Sequence, residues 1–381
     1  MFKNIIKLFI TWRLSLFLIA FVSIFLITKF GARFPYVDRV LEITNLPSWI
    51  WGFGNFDGVH YLRIAQNGYT SDYSQAFFPL FPLLIKLGSF IFPKVSGLNL
   101  QLYTDPSYFY SGLLISNLFL VCALYFYYKL VSIDFDDKIS KQALILLLVF
   151  PTSFFLGSIY TESLFIFLSV VSIYLMRKSN FLAASLVIVL ATATRLAGLF
   201  LILVYIIEAF KSKRKLNLLW VIFAPVGILL YMYFLQTNFS DAFYFFSSAG
   251  EFGTGRDLSK IVLIPQIIYR YFKMFVSVEF LSLTFLNVFL EFVFTIVPLA
   301  YLIVFFKKIR FSYWIFAIST LLVGTLNGTF TSMPRYILPS MLFIFPLLAL
   351  QFKGYFNKVV VVSSLFLVVL TMLFIRGYWI A

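Results

Sequence analysis

An all-α polytopic membrane protein, built as one domain over residues 1–381, is predicted by three observations. First, 62% of the 381 residues are hydrophobic and 12% are charged, about half the charged share of a soluble domain, and the mean hydropathy is +0.97. Second, eleven apolar runs are long enough, or nearly so, to span roughly 30 Å of hydrocarbon as helix. Third, the basic residues fall in short clusters between those runs, as membrane topology requires. The 51 Phe and 23 Tyr suit lipid-facing helices and an interfacial aromatic belt. Because the net charge of +15 is distributed this way, nucleic acid is not an expected partner. The single cysteine, Cys122, excludes intramolecular disulfides and a cysteine metal cluster.

The first run, 14–30, follows Lys3, Lys7 and Arg13 and superficially resembles a signal peptide. No small-x-small cleavage site follows it, and ten later apolar runs explain targeting without one, so it reads as the first transmembrane helix. The segment 76–92, AFFPLFPLLIKLGSFIF, is apolar enough to span. It contains Pro79, Pro82 and Lys86, however, and counting it would place every later basic cluster on the wrong side, so it is expected as an interfacial or re-entrant helix. The runs 109–130, 142–156 and 162–177 come next. The stretch 181–210 joins two basic clusters of the same sidedness and must cross an even number of times, as short helices 181–194 and 197–210 meeting near Arg195. The remaining runs are 217–236, 281–306, 312–326, 336–350 and 359–375.

The positive-inside rule places six clusters in the cytoplasm: Lys3/Lys7/Arg13, Lys129/Lys138/Lys141, Arg177/Lys178, Lys211/Lys213/Arg214/Lys215, Lys307/Lys308/Arg310 and Lys353/Lys358. They hold 17 of the 30 bases but only four acids, Asp134, Asp136, Asp137 and Glu208, whereas the other 13 bases are accompanied by 11 acids. The N-terminus is then cytoplasmic. Large outer loops are expected at 31–108, carrying interfacial helices, and at 237–280, with smaller ones at 157–161, near 195 and at 327–335. No internal repeat is visible, which weighs against a transporter built from paired repeats.

The scarce polar residues gather on the outer side. In FGNFDGVHYLRIAQNGY, residues 53–69, Asp57 precedes His60, the sole histidine, and a helix over 57–66 puts Asp57, His60 and Ile64 on one face. Asp57 reads equally as a helix N-cap or as a catalytic acid. Glu162, in GSIYTESLF just after Tyr160, sits at the outer end of a span, where an acid is costly unless it faces a wet or protein interior. A first-turn acid complementing the helix dipole is the other reading. Arg195 lies in LATATRLAGLF among small residues that allow close approach, and Arg335 lies in TSMPRYILP. Both either snorkel to headgroups or clamp a phosphate. There is no nucleotide-binding motif, so a soluble nucleotide donor has no evident cradle.

FDGVHYLRIAQNGY, AFFPLFPLL, SIYTESLF, ATATRLAG and MPRY, in this order and on one face, resemble the PIG-V type mannosyltransferases of the GT-C class. The likeness runs from about residue 50 to 340, and Phe56 stands where family members commonly carry Trp. Eukaryotic members of that family add the second mannose to glycosylphosphatidylinositol precursors. The resemblance implies a GT-C-type bundle and inverting sugar transfer, most readily of mannose, from a polyprenyl-phosphate donor, with Asp57 as general base for the acceptor hydroxyl. A lipid phosphate leaves readily, so the second, protonating acid of glycosidases is not required. Arg195 and Arg335 would meet the donor phosphate. His60, Glu162 and Tyr160 would support Asp57 or orient the acceptor, and 76–92 would guide the lipid tail. No cofactor is demanded; a divalent metal on Asp57, His60 and Glu162 stays open.

The acceptor stays open among lipid-linked glycans, glycolipids, surface polymers and proteins, as does any partner subunit. The Ile/Lys/Phe/Tyr-rich composition suits an A+T-rich genome and suggests a prokaryotic cell membrane, with the active site extracytoplasmic. The competing class is a lipid or oligosaccharide transporter, which predicts polar residues along the full depth of a pathway. Within the GT-C class, protein O-mannosyltransferases and phosphate-linked pentose transferases carry paired acids in the first loop, and none is seen around Asp57.

Overall fold

The computed structural model describes residues 1–33, 36–212, 214–251, 262–325 and 328–380; Lys213, counted above in a cytoplasmic cluster, lies outside them. Among the described residues every regular element is helical, and each of the eleven apolar runs contains a helix. Five are long and apolar enough to cross a membrane: Phe2–Leu26, Pro106–Val131, Lys215–Phe239, Leu283–Val304 and Phe356–Ile375. Leu18, Phe25, Leu118, Leu229, Tyr233, Val297 and Leu365 on these helices are more than half exposed, an apolar surface suited to lipid. The chain is an integral membrane protein.

The shorter helices pack inside. Glu162–Arg177 is buried on nearly every side and packs against both Pro106–Val131 and Phe181–Thr192, as expected of a helix apolar all round. Phe2–Leu26 pairs with Phe356–Ile375, Asp137–Val149 with Leu338–Gln351, and Phe200–Lys211 with Phe311–Thr325. Glu162 and Arg177 mark opposite ends of their helix, about 22 Å apart at 1.5 Å per residue. At the Arg177 end, that side chain donates to both oxygens of Asp134 at 2.7 Å, and Arg310 grips Glu208 with two nitrogens at 2.8 and 2.6 Å. The basic clusters 307–310 and 177–178 therefore lie away from Glu162.

Three segments depart from the expected boundaries. The first helix begins at Phe2 rather than residue 14, so Arg13 falls inside it instead of at the cytoplasmic face. Its guanidinium is buried, 4.3 Å from the ring centroids of both Phe17 and Phe53, and aromatic faces stand in for lost hydration. The run 197–210 starts as a 3-10 turn, Leu196–Leu199, before Phe200–Lys211, and 217–236 is prefaced by the 3-10 stretch Lys215–Phe223. Neither entry is compact α-helix because each lacks a side-chain cap for its first amides.

Within the first outer loop, Asp57–Asn67 and Leu80–Ser89 are the two substantial helices. Leu80–Ser89 runs ten residues, about 15 Å, half a hydrocarbon thickness. Pro79 precedes it and Pro82 lies in its first turn, where a missing N–H costs no intrahelical bond. Leu83, Leu87, Phe90 and Ile91 are more than half exposed, an apolar flank suited to the membrane interface. The Leu80 amide donates to the Ala193 carbonyl at 3.1 Å, docking this helix on the hairpin tip next to Arg195. That hairpin needs Gly198: a Cβ there would stand 2.5 Å from the Ala191 oxygen.

Candidate active site

Asp57 is not a helix cap. Phe56 occupies the cap position, with φ 59° and ψ −116°, and Asp57 is the first helical residue. A left-handed φ at an aromatic residue costs on the order of 1–3 kcal/mol and persists only where the surroundings over-determine it. They do so here. The Phe56 ring meets Phe374 at 5.9 Å and Trp379 at 5.0 Å between centroids. Asn55 Nδ2 donates to the carbonyls of Phe374 (2.9 Å) and Ile375 (3.3 Å). The Tyr160 hydroxyl donates to the Asn55 carbonyl at 2.8 Å, and the Ile159 amide to Phe53 at 2.9 Å. The loop that presents Asp57 is thereby stitched to the loop that leads into Glu162.

Four charged residues from four distant segments converge. Arg335 Nη1 donates to Asp57 Oδ2 at 2.6 Å, its Nε lies 3.5 Å from Glu162 Oε1, and Arg195 Nη1 donates to the same Glu162 oxygen at 3.0 Å. Side-chain exposure is 22% for Asp57, 1% for Glu162, 17% for Arg195 and 4% for Arg335. At 4%, Arg335 does not snorkel; it stands over the rings of Tyr336 (4.8 Å), Tyr160 (5.2 Å) and Phe155 (5.6 Å). Arg195 lies over Tyr336 at 5.1 Å and is the more reachable of the two. Thr152 Oγ1 donates to the Pro334 carbonyl at 2.6 Å, which fixes the turn carrying Arg335. Glu162 opens its helix without capping it, so its first-turn position and its place in the ion cluster coexist.

The positive charge between the two acids is a guanidinium. Among the described residues, no three of the His, Cys, Asp or Glu side chains gather into a group that could hold a metal ion, so Asp57, His60 and Glu162 do not form the ligand set left open above. Tyr160 is fully buried beneath Arg335. The His60 imidazole stacks on Phe77 at 4.9 Å and 20°. Burial pushes its pKa down from 6.5 to about 4, with Arg63 adding to the shift and the Asp57 carboxylate opposing it. Neutral His60 thus contributes stability that is present above pH 6.5 and lost as pH falls through about 4. His60→Gln is expected to flatten this dependence. Melting temperatures measured in detergent between about pH 7 and pH 4.5 should fall less for the variant than for the wild type.

All these groups except Tyr160 open on one cavity of about 720 Å³. Phe77, Phe78, Leu196 and Phe245 give it an apolar wall. Phe78 and Phe245 also belong to a hydrophobic cluster with Ile228, Tyr231 and Leu235, so this wall continues along the Val226–Phe239 helix. The cavity is also lined by Glu291, Tyr336 and Trp379, which the sequence reading did not single out. Glu291 had a signal, an acid inside the apolar run 281–306. Trp379 had none beyond its residue type.

The family model for mannosyltransferase (PIG-V) matches residues 2–214, which contain Asp57, His60, Tyr160, Glu162 and Arg195 but not Arg335. GPI alpha-1,6-mannosyltransferase 2 of Rattus norvegicus is 30% identical over 166 residues, 43% of this chain and 32% of that protein. The Homo sapiens protein of the same name is 29% identical over 174 residues, again 43% and 32%. GPI mannosyltransferase 2 of Drosophila pseudoobscura pseudoobscura is 26% identical over 144 residues, 37% and 30%. The matched region therefore spans about a third of the length of these curated relatives. Among solved structures, the apo oligosaccharyltransferase of Archaeoglobus fulgidus aligns with a TM-score of 0.47 and 15% identity, covering 97% of this chain and 56% of that one.

Proposed function

The chain belongs to the mannosyltransferase (PIG-V) family, and from that premise we propose that it is an inverting glycosyltransferase that moves mannose from a polyprenyl-phosphate donor to an acceptor hydroxyl. The observation that carries this reading is the convergence of Asp57, Glu162, Arg195 and Arg335 in one cavity with an apolar flank. Asp57 is the general base: it accepts the acceptor hydroxyl's proton as that oxygen attacks the anomeric carbon, and the donor phosphate departs from the opposite face. Arg195, the more exposed guanidinium, meets the phosphate as its charge develops. Arg335 holds Asp57 in place and shares the phosphate's field. The donor chain lies along Phe78 and Phe245, with Leu80–Ser89 at the membrane surface beside it.

Positive-inside topology puts the cavity end of the bundle outside the cytoplasm, opposite the basic end carrying Arg177 and Arg310. The composition makes a prokaryotic cell membrane the expected setting. A transporter is less well supported, because the converging charged groups sit at one end of the bundle and do not follow a path through it. The test is purified protein in lipid nanodiscs, supplied with polyprenyl-phosphate-mannose labelled in the sugar and with a panel of lipid-linked glycans, glycolipids, surface polymers and peptides. Label is expected to move from the lipid phosphate to an acceptor with inversion. Label that remains on the donor in the presence of every acceptor would refute the reading.

A further inference from the structure

The cavity has two differently built walls. The one described above is wholly apolar and continues along Val226–Phe239. The other is made by Phe56, Trp379 and Glu291, and its parts are fixed to one another. Asn287 and Glu291 lie four residues apart on the Leu283–Val304 helix and so share a face. Asn287 Nδ2 donates to the Trp379 carbonyl at 3.0 Å, while the Phe56 ring stands at 84° to the indole. Glu291 is aimed from behind: the Tyr271 hydroxyl donates to its Oε2, and the Phe330 amide in turn donates to that hydroxyl at 3.1 Å. An acid buried two turns into an apolar helix and held in a fixed orientation at a cavity wall is a costly arrangement that marks a binding role.

We propose that this wall is the acceptor subsite and that it takes a pyranose ring bearing free hydroxyls. The ring's apolar face lies against the Trp379 indole, which offers a large rigid surface, and adjacent hydroxyls donate to the Glu291 carboxylate in charge-assisted hydrogen bonds. Placement follows from the chain itself. Phe56, in contact with the indole, is the residue before Asp57, so a sugar seated on Trp379 presents a hydroxyl toward the candidate base. The inference rests on the glycosyl-transfer reading for the word acceptor but not for the subsite's existence. Neither Glu291 nor Trp379 lies in the region matched by the family model, so the subsite would set acceptor choice independently of the segments that carry Asp57 and Glu162.

Methyl α-D-mannopyranoside titrated into the intact protein in nanodiscs, followed by indole fluorescence, tests this directly. The wild type is expected to show a saturable change that disappears in Trp379→Phe. In Glu291→Gln, which keeps the shape and can still accept from Tyr271, the change should require about tenfold more sugar. In the transfer assay the same variants should raise the acceptor KM about tenfold while leaving the donor KM within about twofold. No saturable change in the wild type, an undiminished change in Trp379→Phe, or variants that alter the donor KM instead would overturn the proposal. A wild type that binds the glycoside through these residues yet moves no sugar from any donor would leave the subsite standing and refute the transferase reading.

Discussion

Asp57→Asn is expected to lower the rate of sugar transfer by about a thousandfold while leaving the donor KM within a few-fold and the melting temperature within a few degrees. The substitution keeps the volume and one accepting oxygen, so Arg335 Nη1 retains a partner at the same position, and Arg335 still has the Tyr336 hydroxyl, to which its Nη2 donates at 3.0 Å. What is lost is a group that can take a proton. If Asp57 serves only to neutralise Arg335, the variant should lose stability and keep most of its rate. If it is the base, the rate collapses in a folded protein. Single-turnover transfer from labelled polyprenyl-phosphate-mannose, read beside a thermal melt of the same preparation, separates the two. A variant that transfers within about tenfold of the wild type would remove Asp57 from the chemistry.

How far the site could be read from the sequence depended on contrast. In a chain with 12% charged residues, an isolated charge at the outer end of an apolar run is conspicuous, and Asp57, Glu162, Arg195 and Arg335 were singled out that way. The helices were legible for the same reason: Glu162–Arg177 occupies the run expected for it, residue for residue. The partnerships were not legible. Arg335 and Asp57 are 278 positions apart, and nothing in either segment says that a guanidinium rather than a metal ion lies between the two acids. Arg13 was misplaced because a positive-inside count treats every base before an apolar run as solvent-exposed, whereas aromatic faces from Phe17 and Phe53 bury this one. Glu291 went unremarked because a single acid scarcely lowers the hydropathy of a 26-residue run, 281–306. Trp379 acquires meaning only through Asn287 and Phe56.

The second large effect belongs to Arg335. Removing one partner of a buried ion pair typically costs about 3–5 kcal/mol, because the remaining charge is left desolvated. Arg335, 4% exposed, touches two carboxylates. Arg335→Met is therefore expected to destabilise the protein by about that amount, since Asp57 and Glu162 then face one another with only Arg195, on Glu162, to offset them. Glu162→Gln alone should cost less, because Arg335 keeps Asp57. The informative species is the double variant. Once Glu162 is a neutral amide, the methionine no longer leaves two like charges together, so Arg335→Met/Glu162→Gln should be more stable than Arg335→Met, with a coupling energy of about 1–3 kcal/mol. Arg335→Lys should fall between, because an ammonium keeps the charge but cannot reach Asp57, Glu162 and the Tyr336 hydroxyl at once as the planar fork does. Denaturant or thermal unfolding in a single detergent measures all four proteins. Additive losses in the double variant would mean that Arg335 holds its loop by packing on Tyr160 and Tyr336 rather than by joining the two acids.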